Sequence, residues 1–197
     1  MMKKIKRKLK GFTLIELIVV IAIIGVLAAI LVPTMIGYVK KSKRAADVAQ
    51  AKDIHTNVVS LILEDEDAGN SFYAQGATYA SPETKMDQRM GVSYDLVPVA
   101  YLDGAGGTDG NGKAWTPVDP EQKDFCDALN KKYSFWYTDP KVKLKIKSEN
   151  GNNHLNRWFI GYRKGNDSTI EIWTGDGSSS PGELIQCLYV QITVGNN

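Results

Sequence analysis

The chain has 197 residues, 43% of them hydrophobic and 23% charged, which suits one domain with an appendage and excludes wholesale disorder. The formal net charge of +2 hides an asymmetry, because Lys3, Lys4, Lys6, Arg7, Lys8 and Lys10 fall within the first eleven residues and no acid does. Without those six, 18 of the 24 basic groups face 22 acidic ones, which argues against a domain built to bind nucleic acid.

The basic stretch precedes an apolar run from Phe12 to about Ile36, broken only by Thr13, Glu16, Pro33 and Thr34. A secretory signal has the same order, but its apolar core of about 7–15 residues ends in a small-residue cleavage site. Phe12 to Val32 makes roughly 32 Å of α-helix, about one bilayer core. The Leu, Ile and Val residues between Leu14 and Val32 favour insertion by more than one charge near the helix end costs. Lys40, Lys41, Lys43 and Arg44 follow the run, fewer than the six charges before it, so the N-terminus stays in the cytoplasm. The bulk of the chain is then outside. Glu16 is the exception within the run, and an ionisable group in a spanning helix is a functional candidate. It either reaches the headgroups from the helix start or pairs with a positive charge on another chain.

The segment Lys10-Gly11-Phe12-Thr13-Leu14-Ile15-Glu16-Leu17, with its basic leader and with Pro33, resembles the prepilin processing site of type IV pilins and pseudopilins. The resemblance covers roughly residues 3–62. It implies that a membrane peptidase cuts after Gly11 on the cytoplasmic face and that the new amino group of Phe12 is N-methylated. Glu16 and Pro33 then fall where the family places its glutamate and its proline. The partners implied are copies of the chain or other pilins in a helical filament, a prepilin peptidase/methyltransferase, the pilus assembly machinery and, before assembly, the cytoplasmic membrane. A single-pass membrane precursor would thus become an extracellular filament on a bacterial cell surface.

Cutting after Gly11 removes all six leader charges and leaves one amine with one carboxylate four residues on. In a low-dielectric setting Glu16 then needs a countercharge, which the Phe12 amine of a neighbouring subunit can supply. Desolvation offsets most of the Coulomb gain, so the pair sets the stagger between subunits rather than adding much stability. Gly25 and Ala29, with Ala22 and Ala28 nearby, let helices approach closely, although such residues are also ordinary in membrane helices. Pro33 removes a backbone donor and is expected to bend or locally melt the helix, with Gly37 adding flexibility beyond it.

From Gly37 to about Glu64 the pattern becomes amphipathic. Ala51, Ile54, Val58, Leu61 and Ile62 recur at helical spacing, and Lys52, Asp53, Asn57 and Ser60 form the polar side. Lys40, Lys41, Lys43 and Arg44 suit a solvated face, anionic lipid, or acidic groups of the next subunit. The acidic run Glu64-Asp65-Glu66-Asp67 reads as the helix end, where it opposes the helix dipole. Residues 69–124 read as loop-rich, with turn chemistry at Ser81-Pro82, Asp103-Gly104 and Asp109-Gly110. Asp103, Asp109 and Asn111 offer oxygen to a cation, but the calcium-loop pattern lacks its closing glutamate, so no metal site is assigned.

Pro120 to Lys132 predicts a short helix with Phe125 and Leu129 on one face. Strand candidates follow at residues 141–147, 155–163, 169–174 and 184–194, separated by turns at Asn150-Gly151, Gly165-Asn166-Asp167 and Gly175-Asp176-Gly177. The fold class is α+β: a long N-terminal helix, half transmembrane and half amphipathic, packed on a C-terminal antiparallel sheet. The organisation is a leader at 1–11, a transmembrane and polymerisation helix at 12–36, an amphipathic helix at 37–67 and a globular head at 68–197.

Cys126 and Cys187 are both in the exported part, and an even count there permits one disulfide or leaves two reduced, buried thiols. Some members of the resembled family staple the C-terminal region in a similar way. Neither His55 nor His154 sits in a ligand pattern, and Ser178-Ser179-Ser180-Pro181 lacks the frame of a nucleophile elbow. No cofactor and no catalytic residue is assigned, so the expected role is structural. The size of the head and its long Gly/Asp loop favour a pilus subunit, with a pseudopilin of a secretion or DNA-uptake system as the alternative. A monomeric membrane-anchored domain would need neither Gly11 nor Glu16.

Overall fold

The computed structural model describes residues 11–75, 82–87, 92–103, 114–133, 155–176 and 183–190. The chain divides into two compact units after Ser42, and one helix, α1 (Leu14–Glu64), contributes to both. In the first unit α1 is the apolar run foreseen from the sequence. Its side chains are exposed, and it is long and apolar enough to cross a bilayer. The helix continues through Pro33, so the local melting expected there is not observed. The Thr34 hydroxyl donates to the Leu31 carbonyl at 2.8 Å, a bond from side chain back to the preceding turn.

In the second unit Ala51, Ile54, Val58 and Leu61 of α1 are buried, as their spacing predicts. The acidic run is not a helix end alone. Asp65 caps a second helix, α2 (Glu66–Tyr73), by accepting the Ala68 amide at 3.1 Å, and Glu66 and Asp67 lie in its first turn. Acids there complement the helix dipole, which resolves the mismatch expected at the end of α1. Gly69 permits the close approach of α2 to the end of α1, since a Cβ would stand 2.9 Å from the Ile62 carbonyl oxygen.

Six strands among the described residues form one antiparallel sheet. They are β1 (Glu83–Asp87), β2 (Val92–Asp103), β3 (Thr116–Pro117), β4 (Leu155–Arg163), β5 (Asn166–Asp176) and β6 (Glu183–Val190), in the order β1-β2-β4-β5-β6, with β3 also pairing β2. The meander β4-β5-β6 matches three of the expected strands; the candidate at 141–147 lies outside the described residues. The loop-rich reading of 69–124 is corrected, because β2 lies within it and pairs with β1, β3 and β4. Its alternation was hidden by a bulge between Pro98 and Ala100, where the Val99 carbonyl accepts the Val118 amide at 2.9 Å. Gly161 pairs with Pro98 there, and a Cβ on it would lie 2.6 Å from the Val97 carbonyl oxygen.

The expected helix at 120–132 forms as a 3-10 turn (Pro120–Gln122) running into α3 (Lys123–Tyr133), opened by an Asp119–Gln122 capping box. Lys132 of α3 donates to Ser60 at 2.9 Å and pairs with Glu64 at 3.3 Å, while Asn57 donates to the Tyr133 hydroxyl at 3.0 Å. The polar side of α1 is therefore met by α3. Ser71 of α2 donates to the Glu121 carbonyl at 2.8 Å and accepts the Phe125 amide at 3.2 Å.

The helices pack against one face of the sheet through Val97, Leu102, Trp158, Ile160 and Ile172. The opposite face carries a second apolar cluster of Leu96, Phe159 and Trp173. Cys126 belongs to the helix-side core and Cys187 packs on the opposite cluster. Both are thiols, and the disulfide considered from the even count is not formed, because the sheet stands between the two side chains.

Candidate processing and assembly site

Gly11, Phe12, Glu16, Gly25 and Pro33 are the positions to which the resemblance assigns expected roles in processing and assembly. Gly11, Phe12 and Thr13 precede the first turn of α1 as exposed, non-helical backbone. Phe12 is 92% exposed. The helix starts at Leu14 because Thr13 and Glu16 form a capping box. The Thr13 amide and hydroxyl each donate to Glu16 Oε2 at 2.7 Å, and the Glu16 amide donates to Thr13 Oγ1 at 3.4 Å. This partner of Glu16 was missed in reading the sequence, although T-x-x-E before an apolar run is its signal. Gly25 and the alanines at 22, 28 and 29 are exposed, and a Cβ on Gly25 would meet nothing within 4 Å. Within one chain, then, neither Gly25 nor Pro33 is brought to Glu16.

The second unit holds a buried polar cluster that the sequence did not reveal. Glu171, fully buried on β5, accepts Arg163 Nε at 2.7 Å, the Tyr94 hydroxyl at 2.8 Å and the Trp173 indole N–H at 2.7 Å. The Arg163 guanidinium lies 3.9 Å from the centre of the Tyr94 ring. Burial, then the Glu171 carboxylate, pushes the Tyr94 phenol well above its ordinary value. Three donors from β2, β4 and β5 thus meet one carboxylate, so the cluster acts as a lock between strands. Burial holds His55 on α1 below the ordinary histidine value, which keeps it neutral. Burial likewise raises the Cys126 thiol and makes it inert. Among the described residues no group of three or more His, Cys, Asp or Glu side chains converges to hold a metal. Asp109, Asn111 and His154 lie outside the described residues.

A family model described as the prokaryotic N-terminal methylation motif matches residues 6–32, which contain Gly11, Phe12, the capping box and Gly25. Residues of this chain are 40% identical over 63 positions to a type IV major fimbrial protein FimA of Dichelobacter nodosus, covering 32% of the chain and 40% of that protein. The N-terminal region of the chain is thus similar to that of type IV pilins. A fimbrial protein of Pseudomonas aeruginosa is 39% identical over 70 residues, 36% of this chain and 46% of that one. A type IV major alpha-pilin of Moraxella bovis is 34% identical over 105 residues, 50% of this chain and 65% of that one. The pilin likeness spans about 40% of the length of the first of these relatives. No solved structure matches the chain. The long apolar helix followed by an antiparallel sheet is consistent with the pilin fold.

Proposed function

We propose that the chain is a structural, non-catalytic subunit of a type IV pilus. It is made as a single-pass precursor with its N-terminus in the cytoplasm, cut after Gly11 and N-methylated at Phe12. It then polymerises through α1 with copies of itself or other pilins, aided by the pilus assembly machinery, and exposes its head for adhesion, motility or DNA contact. The observation that carries this reading is the N-terminal methylation motif over residues 6–32, placed on a helix whose apolar surface is bare in the single chain. An isolated subunit needs a bilayer or other helices around that surface. The non-helical Gly11–Phe12 bond supports the cleavage position, because a peptidase binds extended backbone more readily than a helix.

Mechanical shearing of native cells, followed by N-terminal mass spectrometry of the sheared and membrane fractions, tests this directly. Chains starting at methylated Phe12 in the sheared, high-molecular-weight fraction are the expected result. The same processed chain held only in the membrane favours a pseudopilin of a type II secretion or competence system. An uncut chain in a competent host leaves a membrane-anchored domain.

A further inference from the structure

The two oxygens of the Glu16 carboxylate are not equivalent. Both donors of Thr13 converge on Oε2 at 2.7 Å, and Oε1 accepts no hydrogen bond among the described residues. We propose that Thr13 is a positioning residue for filament assembly, holding Oε2 so that Oε1 is left for the methylated Phe12 amine of an incoming copy of this chain. The inference rests on the pilus-subunit reading and adds to it a residue that acts through Glu16.

Three features carry it. The bonds involve only atoms of Thr13 and Glu16, both downstream of the Gly11–Phe12 bond, so cleavage leaves them in place. A carboxylate in an apolar setting costs several kcal/mol when it has no donors, and Thr13 supplies two before any neighbour arrives. A glutamate side chain also loses rotamer freedom on docking, and a carboxylate already held in one geometry has less left to lose. The neighbour's amine then adds a charge-assisted bond to the remaining oxygen rather than displacing Thr13.

The test expresses tagged variants as a minority beside the wild-type chain in the native cells. Peptide mass spectrometry reads each variant's share in the sheared filaments relative to its processed, membrane-inserted share. Thr13→Val keeps the shape and the amide but lacks the hydroxyl, and its incorporation is expected to fall about tenfold, the loss of one hydrogen bond to a charged group. Thr13→Ser restores the hydroxyl and should incorporate to within about twofold of wild type. Because Thr13 acts through Glu16, the double variant Thr13→Val/Glu16→Ala should incorporate no less than Glu16→Ala alone. Wild-type incorporation of Thr13→Val overturns the proposal, and so does a double variant in which the two losses multiply. Absence of the processed wild-type chain from the sheared fraction overturns the pilus reading instead, and is seen before any variant is compared.

Discussion

Arg163 and Glu171 form a buried ion pair of 2.7 Å across the β4-β5 hairpin, on the sheet face that the helices do not cover. Glu171 has no exposure and Arg163 very little, so neither charge can be solvated if the other is removed. Glu171→Leu is expected to cost roughly 3–5 kcal/mol, because it removes the buried carboxylate to which Arg163 Nε, Tyr94 and Trp173 all donate. The double variant Arg163→Met/Glu171→Leu should cost less than Glu171→Leu alone. Urea denaturation of the full chain in detergent measures both, and a double variant worse than the single would show that the pair itself is strongly stabilising.

At Gly161 the bulge of β2 leaves no room for a methyl group. Gly161→Ala places a Cβ 2.6 Å from a backbone oxygen that cannot swing aside, and should destabilise by about 1–3 kcal/mol. Gly25→Ala, where no atom lies within 4 Å in the isolated chain, should not destabilise the detergent-solubilised subunit. Thermal melts of the two variants side by side provide the comparison.

The two thiols, one buried and one partly buried, make a redox prediction. A disulfide closing the 60 residues between Cys126 and Cys187 would contribute about 4 kcal/mol. Since the sheet separates them, reducing agent should leave the melting temperature unchanged. Cys126→Ser should destabilise by about 1–3 kcal/mol, since it buries a hydroxyl in an apolar core. Mass analysis of the alkylated, unreduced protein checks the thiol state independently.

His55 sets a pH dependence. Its folded-state value lies below the ordinary histidine pKa of about 6.5, so on acidification the unfolded chain takes up the proton first. Its contribution to stability is therefore intact above about pH 6.5 and declines as pH falls below it, by up to about 1.4 kcal/mol per unit. His55→Gln should flatten the fall in melting temperature between about pH 6.5 and 5.

Local patterns exposed much of this architecture to reading, and contacts between distant residues did not. The α1 helix follows from an unbroken apolar run and from Ala51, Ile54, Val58 and Leu61 at helical spacing. Strands β4, β5 and β6 follow from alternating aromatic and β-branched residues. Strand β2 escaped because Pro98 and the bulge beside it break the period-two pattern that identifies a half-buried strand. Glu171 escaped for a different reason: its partner Tyr94 lies 77 residues away, and no periodicity links them. Parity of the cysteines could not decide their pairing, because the sheet face each occupies depends on register. At the candidate site Thr13 was legible in principle, yet the rarity of a charge in an apolar helix drew the reading toward a distant partner for Glu16.

The β4-β5 hairpin has only Lys164 and Gly165 between its strands, and Gly165 takes a φ of +82°. Strand β2, by contrast, can join β4 only after the chain has closed a loop that contains β3 and α3. Closing a short loop takes well under a microsecond, whereas the longer closure pays its entropy before any pairing rewards it. The connectivity thus predicts an order of folding in which β4 and β5 pair first and β2 docks late on the hairpin. A side chain at Gly165 should therefore slow refolding, while one at Gly161, on the late seam with β2, should mainly speed unfolding.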